Sequence, residues 1–295
     1  MTAVRTLEPS TENRSATREK TRMTASRRVS ACVAIVRLQA RALRLYRTDF
    51  LFSLLGLLIQ IYLLRMLWTA AYQGAGNATA SSLRVGLATQ IAYTTLANIQ
   101  HWLFNPWPAS MIPERVREGT VAVDLARPLR FPIQMMSAQG GVVLARLPWA
   151  LVACPLAVFA GGAQPPASSG ALIAAVVSLV LALWLTLLLS LIVGMAAFWT
   201  LEVSGLLVVY GHLSEFLAGV LVPPWLMPSW LHVITQWLPF QAITYTPVAT
   251  YLGRLGNSAH VLGALGVQCG WILVAWITMR AIWSRALHRI VVQGG

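Results

Sequence analysis

Long apolar stretches separated by short polar ones organise most of the chain. Runs near residues 50–71, 85–104, 140–160, 171–200, 205–222 and 258–282 each come close to the ~20 residues that a helix needs to cross a hydrocarbon core. The apolar positions are continuous rather than alternating with period two, which selects helices over a β-barrel. The expected fold class is an all-α integral membrane protein with about six transmembrane helices.

The regions outside these runs have patterns of their own. Residues 1–28 are rich in Thr, Ser, Glu and Arg with few apolar anchors, and predict a disordered basic cytoplasmic tail. Met23 offers an alternative start within that tail. Over residues 29–48 the pattern is helical and two-sided. Arg37, Arg41 and Arg44 recur at i, i+4 and i+7, with Ile35, Leu38, Ala42 and Leu45 on the other side. Such a helix suits the membrane interface, its arginines toward anionic headgroups; a soluble helix packed on another domain is the alternative. Segment 223–257 is apolar but broken by Pro223, Pro224, Pro228, Pro239 and Pro247. It predicts two short helices, near Trp230–Trp237 and Tyr245–Leu252, in an external re-entrant segment buried in protein or lining a cavity. Trp225, Trp230, Trp237 and Trp271 fall near its interface.

Composition agrees with the pattern. Only 11% of the 295 residues are charged and 57% are hydrophobic, against roughly 25% charged in a soluble domain. The formal charge of +13 raises nucleic-acid binding, but 11 of the 22 basic residues precede Asp49 and most others border apolar runs. That is the positive-inside pattern, and no nucleic-acid partner is expected. Arg115, Arg117, Arg127, Arg130, Arg280, Arg285 and Arg289 fall on one side of the six-span scheme; the other side holds only Arg84 and Arg254. Both termini are therefore expected in the cytoplasm, with 161–170 a short external loop. Arg27-Arg28 and the box before Cys32 resemble export signals, but no uninterrupted apolar stretch precedes a cleavage site. Cys32, Cys154 and Cys269 show neither a disulfide framework nor zinc spacing.

Chemistry enters mainly through what is missing. The single lysine, Lys20, has no glycine-rich turn before it, so no phosphate-binding loop is present and ATP-driven work needs a separate subunit. His101, His212, His232, His260 and His288 include no pair at metal-ligand spacing, and the nine acidic residues form no cluster to hold a metal on phosphates. Within 105–139, Glu114–Glu118 predicts one short charged turn that Gly119 breaks. Val121, Val123 and Leu125 supply apolar contacts before Pro128 stops the element. A compact charged helix between spans suits docking into a cleft on a cytosolic partner; a solvated connector is the bland alternative.

Three stretches carry a family resemblance. Arg117-Glu118-Gly119-Thr120 followed by Asp124-Leu125-Ala126-Arg127-Pro128-Leu129 resembles the loop after the second span of ABC-2-type transporter permeases. One bacterial branch of that family has arginine-x-glycine and then leucine-x-arginine-proline there. Leu238-Pro239-Phe240, Tyr245-Thr246-Pro247 and Tyr251-Leu252-Gly253 resemble the stretch before the family's last span. Phe198-Trp199-Thr200 with Glu202 resembles its end of span four. The resemblance covers about residues 29–290 and leaves the tail outside. It implies a bacterial cell-membrane exporter subunit whose domains are the connecting helix 29–48 and a six-helix unit 49–290. A second permease chain, identical or paralogous, would complete a dimer. A cytosolic ATPase dimer beneath would carry the ATP and magnesium; this chain would hold no cofactor. Glu114, Arg117, Glu118, Asp124 and Arg127 would couple to the ATPase, and spans two and five would line the pathway. The cargo would be a small or amphipathic compound such as a drug, antibiotic, lipid or glycoconjugate.

The polar load of those two spans bears on that implication. Span two carries Gln90, Thr94 and Asn98, and span five carries His212 and Glu215. An ionisable group at the bilayer centre costs about 2.5–3.5 kcal/mol on insertion scales, so Glu215 is expected to face protein, water or substrate. His212 shares its helix face, so a satisfied internal pair and a pathway site both remain open. Arg65 and Arg146 lie nearer span ends and are expected to snorkel. A proton- or ion-coupled secondary transporter or channel built on Glu215 is the alternative function.

Overall fold

The computed structural model describes residues 25–43, 47–74, 85–104, 111–200 and 203–293. Residues 1–24 of the expected tail, Arg44, Leu45, Arg84 and Glu202 lie outside them. Among the described residues every regular element is helical. In chain order they are α1 (Ala25–Leu43), α2 (Arg47–Gly74), α3 (Leu87–Phe104), α4 (Met111–Arg117), α5 (Val121–Ala126) and α6 (Phe131–Gly161). There follow α7 (Ser169–Gly194), α8 (Ser204–Leu217), α9 (Ser229–Gln236), α10 (Tyr245–Tyr251) and α11 (Ser258–Gln293).

Among the described residues four stretches are long and apolar enough to cross a membrane: Thr48–Gly74, Phe131–Phe159, Ser169–Phe198 and Ser258–His288. The other two expected spans are helical but fall short of that standard. The polar side chains of α3 lower its hydropathy over 18 residues. The 14 residues of α8 reach only about 21 Å, less than the ~30 Å core. Residues 218–222 of the expected fifth span turn away instead. Gly219 turns there with φ +81, and a Cβ on it would lie 2.9 Å from both Pro224 Cδ and Tyr93 Oη.

The helix expected from residue 140 begins at Phe131, where Pro132 suits the first turn. Gly140-Gly141 is therefore no boundary. α1 crosses α6 at backbone distance there, and a Cβ on Gly141 would sit 2.7 Å from Gln39 Cβ and from the Val36 carbonyl oxygen. Ala40 is buried with Ala145 and Phe50 at the same crossing. Leu38, on the expected apolar side of α1, is exposed, and the face packed on α6 runs through Gln39 and Ala40. α11 continues to Gln293, eleven residues past the expected end at 282.

The largest core gathers α4–α7 and α11. Ile112, Phe131, Leu188, Leu191, Met195, Phe198 and Met279 are buried together. The Phe131 and Trp283 rings stack at 5.1 Å, with Phe198 edge-on to both. The proline-broken segment does form two short helices, α9 and α10, and its connection 237–244 is held from both sides. Gln100 on α3 donates to the Ile243 carbonyl. Gln268 on α11 donates to the Ala242 carbonyl at 2.7 Å and accepts from Ser178 Oγ on α7. Irregular backbone among apolar helices needs such partners, because lipid offers none.

Candidate functional site: a clamped hairpin and a buried carboxylate

Two regions collect the chemistry-bearing residues. In the first, α4 and α5 form a helical hairpin turned by Gly119 at φ +69, a left-handed position that favours glycine. Asp124 fastens it. Its carboxylate accepts from Arg115 on α4 and, at 3.0 Å, from Arg127 after α5. The Asp124 side chain is 2% exposed while its two guanidinium partners reach solvent. Gln134 on α6 extends the clamp, donating to the Asp124 carbonyl at 2.8 Å and the Leu129 carbonyl at 2.7 Å. Val121 is buried and Leu125 packs inward, leaving Val123 as the outward apolar residue of the three expected to meet a partner. Glu114, Arg117 and Glu118 face outward. α4 packs against the single 3-10 turn Met195–Phe198 that continues α7. The hairpin thus touches the end of α7, and the aromatic trio joins that end to α11.

The second region joins α3 to α8. Glu215 lies 4.0 Å from His101 Nε2 and 3.7 Å from His212 Nδ1. These separations are too long for hydrogen bonds. Glu215 is 16% exposed, whereas the His212 ring is 72% exposed. The His101 partnership crosses helices and has no signature in sequence spacing. Beside it lies a cavity of about 20 Å³, lined by His101, Thr186, Tyr210, Ser214 and Thr244. That volume suits a water and is far below the ~300 Å³ of a small-molecule pocket.

The other expected pathway residues sit elsewhere. Gln90, Thr94 and Asn98 are buried on α3. Thr94 Oγ1 donates to the Gln90 carbonyl and Asn98 Nδ2 to the Thr94 carbonyl, so both bond within their own helix. Gln90 Oε1 accepts from Trp225 Nε1 at 2.9 Å, tying α3 to the segment before α9. Tyr93 is packed against Trp225 and donates to the Gly219 carbonyl. Arg146 does not snorkel. It donates to the Trp102 carbonyl at 2.9 Å and lies 5.7 Å over that ring, which satisfies a last-turn carbonyl of α3. Among the described residues no three His, Cys, Asp or Glu side chains converge to hold a metal ion.

Four helices long and apolar enough to cross a membrane, with a clamped hairpin packed against them, fit a multi-pass membrane protein. The family described as ABC-2 family transporter protein matches residues 58–294. The chain belongs to that family: it is a transmembrane permease of the ABC transporter class, a transport subunit whose family works with an ABC ATPase. No curated protein and no solved structure matches it.

Proposed function

We propose that the chain is the membrane-spanning subunit of an ATP-driven exporter, with six spans, both termini in the cytoplasm of a bacterial cell and a small or amphipathic cargo. ATP and magnesium belong to a separate cytosolic ATPase dimer. The observation that carries the reading is the α4–α5 hairpin, which is rigid inside and charged outside. Asp124 locks it from within, while Glu114, Arg117 and Glu118 remain free to meet the ATPase. In this reading Asp124, Arg115 and the inner face of Arg127 hold the lever in shape, and the outward residues make the contact.

The pathway lies between two permease chains. Glu215 and His212 on α8 are its polar wall, with the buried Gln90, Thr94 and Asn98 of α3 behind it. An imidazole 72% exposed on a helix with apolar neighbours such as Val208, Val209 and Leu213 fits a face covered by a second chain better than one left to lipid. The water-sized space beside His101 supports the same reading, because a cargo route then has to open between chains.

The His101–Glu215–His212 cluster favours a second reading, a proton-coupled transporter in which Glu215 exchanges a proton. One preparation separates the two. The tagged full-length chain, purified from its native membrane in mild detergent, should bring down a subunit that hydrolyses ATP. Glu118→Arg should abolish that association and leave the permease monodisperse. Cargo movement driven by a proton gradient in vesicles free of any ATPase would overturn the exporter reading.

A further inference from the structure

A groove of about 430 Å³ lies between the start of α6 and the far half of α11. Its walls include Met136, Trp276 and Trp283, and Arg130, Arg280 and Ser284 border it. It adjoins the hairpin clamp along the chain and differs from it in charge. Asp124 is already engaged by Arg115 and Arg127. Among the described residues neither Arg130 nor Arg280 has a carboxylate within ion-pair distance, and no acidic side chain lines the groove. Two cations therefore stand at the cavity with no counter-charge among the described residues.

Position along the membrane identifies what neutralises them. Arg280 lies about 33 Å along α11 from Ser258, just beyond one hydrocarbon thickness. Arg130 immediately precedes the membrane-crossing stretch Phe131–Phe159. Leu273 and Ile277, two turns and one turn before Arg280, are exposed apolar residues, so the groove continues into a lipid-facing strip. A free inorganic anion would gain nothing from tryptophan and methionine walls. A lipid headgroup with its first acyl carbons would use both parts, and basic pockets between spans at a membrane boundary are suited to anionic headgroups.

We propose that this groove is a binding site for an anionic phospholipid, its phosphate held by Arg130 and Arg280 and its glycerol and upper acyl chains against Trp276 and Trp283. The inference rests on membrane embedding and not on the exporter reading.

The test uses full-length chain in nanodiscs of phosphatidylcholine and phosphatidylglycerol in equal parts, with retained lipid counted by native mass spectrometry after delipidation. Wild-type chain should retain phosphatidylglycerol in preference to phosphatidylcholine. Arg130→Gln with Arg280→Gln should lower that preference about 30-fold, the equivalent of about 1 kcal/mol of surface-charge attraction per arginine. Arg130→Lys with Arg280→Lys should keep most of it. Ser284→Phe, which fills the groove with both arginines intact, should lose it, and decides the matter if the glutamine pair does not fold. Unchanged lipid preference in the glutamine and phenylalanine variants would overturn the proposal. So would displacement of the lipid by inorganic phosphate, which would mark a small-anion site. A disulfide between Ser284→Cys residues of two chains would give the groove to a second copy and overturn it equally.

Discussion

Replacing Asp124 with Asn isolates the clamp that keeps the hairpin rigid. The substitution keeps shape and removes the charge that Arg115 and Arg127 both contact. A hydrogen bond to a charged group contributes about 1.5–3 kcal/mol. Both guanidinium groups here are partly solvated, which favours the low end of that range for each. Together they give about 3 kcal/mol, which corresponds to a roughly hundredfold rise in local opening. Opening should appear in hydrogen exchange at the amides of Thr120 and Asp124, which bond to the Arg115 and Thr120 carbonyls at 3.0 and 3.2 Å. Amides in the middle of α7 should keep their protection, because Leu185, Leu188 and Leu191 are buried independently of the clamp. Arg115→Gln and Arg127→Gln should each give about half the effect in energy. Unchanged exchange in 118–127 of the Asn variant would refute the idea that Asp124 holds the hairpin.

Further consequences follow from the packing and the site. Gly141→Leu should push α1 from α6, costing about 1–3 kcal/mol and lowering the thermal midpoint; an unchanged midpoint would show that the crossing is looser than 2.7 Å. Gln268→Leu removes three hydrogen bonds at α7 and the Ala242 carbonyl; at about 0.6 kcal/mol each in a membrane the loss is about 2 kcal/mol, read as faster proteolysis between α9 and α10. Glu215→Gln should lower export about tenfold with assembly intact, given the sensitivity of intramembrane carboxylates, and wild-type export would return Glu215 to a packing role.

The sequence exposed some of these features and concealed others for physical reasons. Gly119 announced its break because a left-handed turn after a charged helical turn has few other occupants. The five prolines between 223 and 247 announced a broken segment for the same kind of local reason. Gly140-Gly141 misled because a glycine pair signals a boundary in isolation, whereas here Gly141 admits the backbone of α1. Asp124 was expected among the residues that meet the ATPase, since nothing local says that two arginines from either side of it will close over it. His101 was legible as a polar residue of span two, but its approach to Glu215 depends on how α3 meets α8. α8 was read as longer because residues 218–222 are apolar; only Tyr93 and Pro224, distant in the chain, show why Gly219 turns.

The central claim is that the outer face of the hairpin meets a separate ATPase. A photo-activated cross-linking residue in place of Glu118 tests this in intact cells, with the same residue at exposed Ser169, at the other end of the α7 span, as the control. Glu118 should yield an adduct with a chain that carries a phosphate-binding loop, in an amount that changes when ATP is depleted, and Ser169 should yield none. An adduct with no such chain at Glu118, in cells that still export, would contradict it.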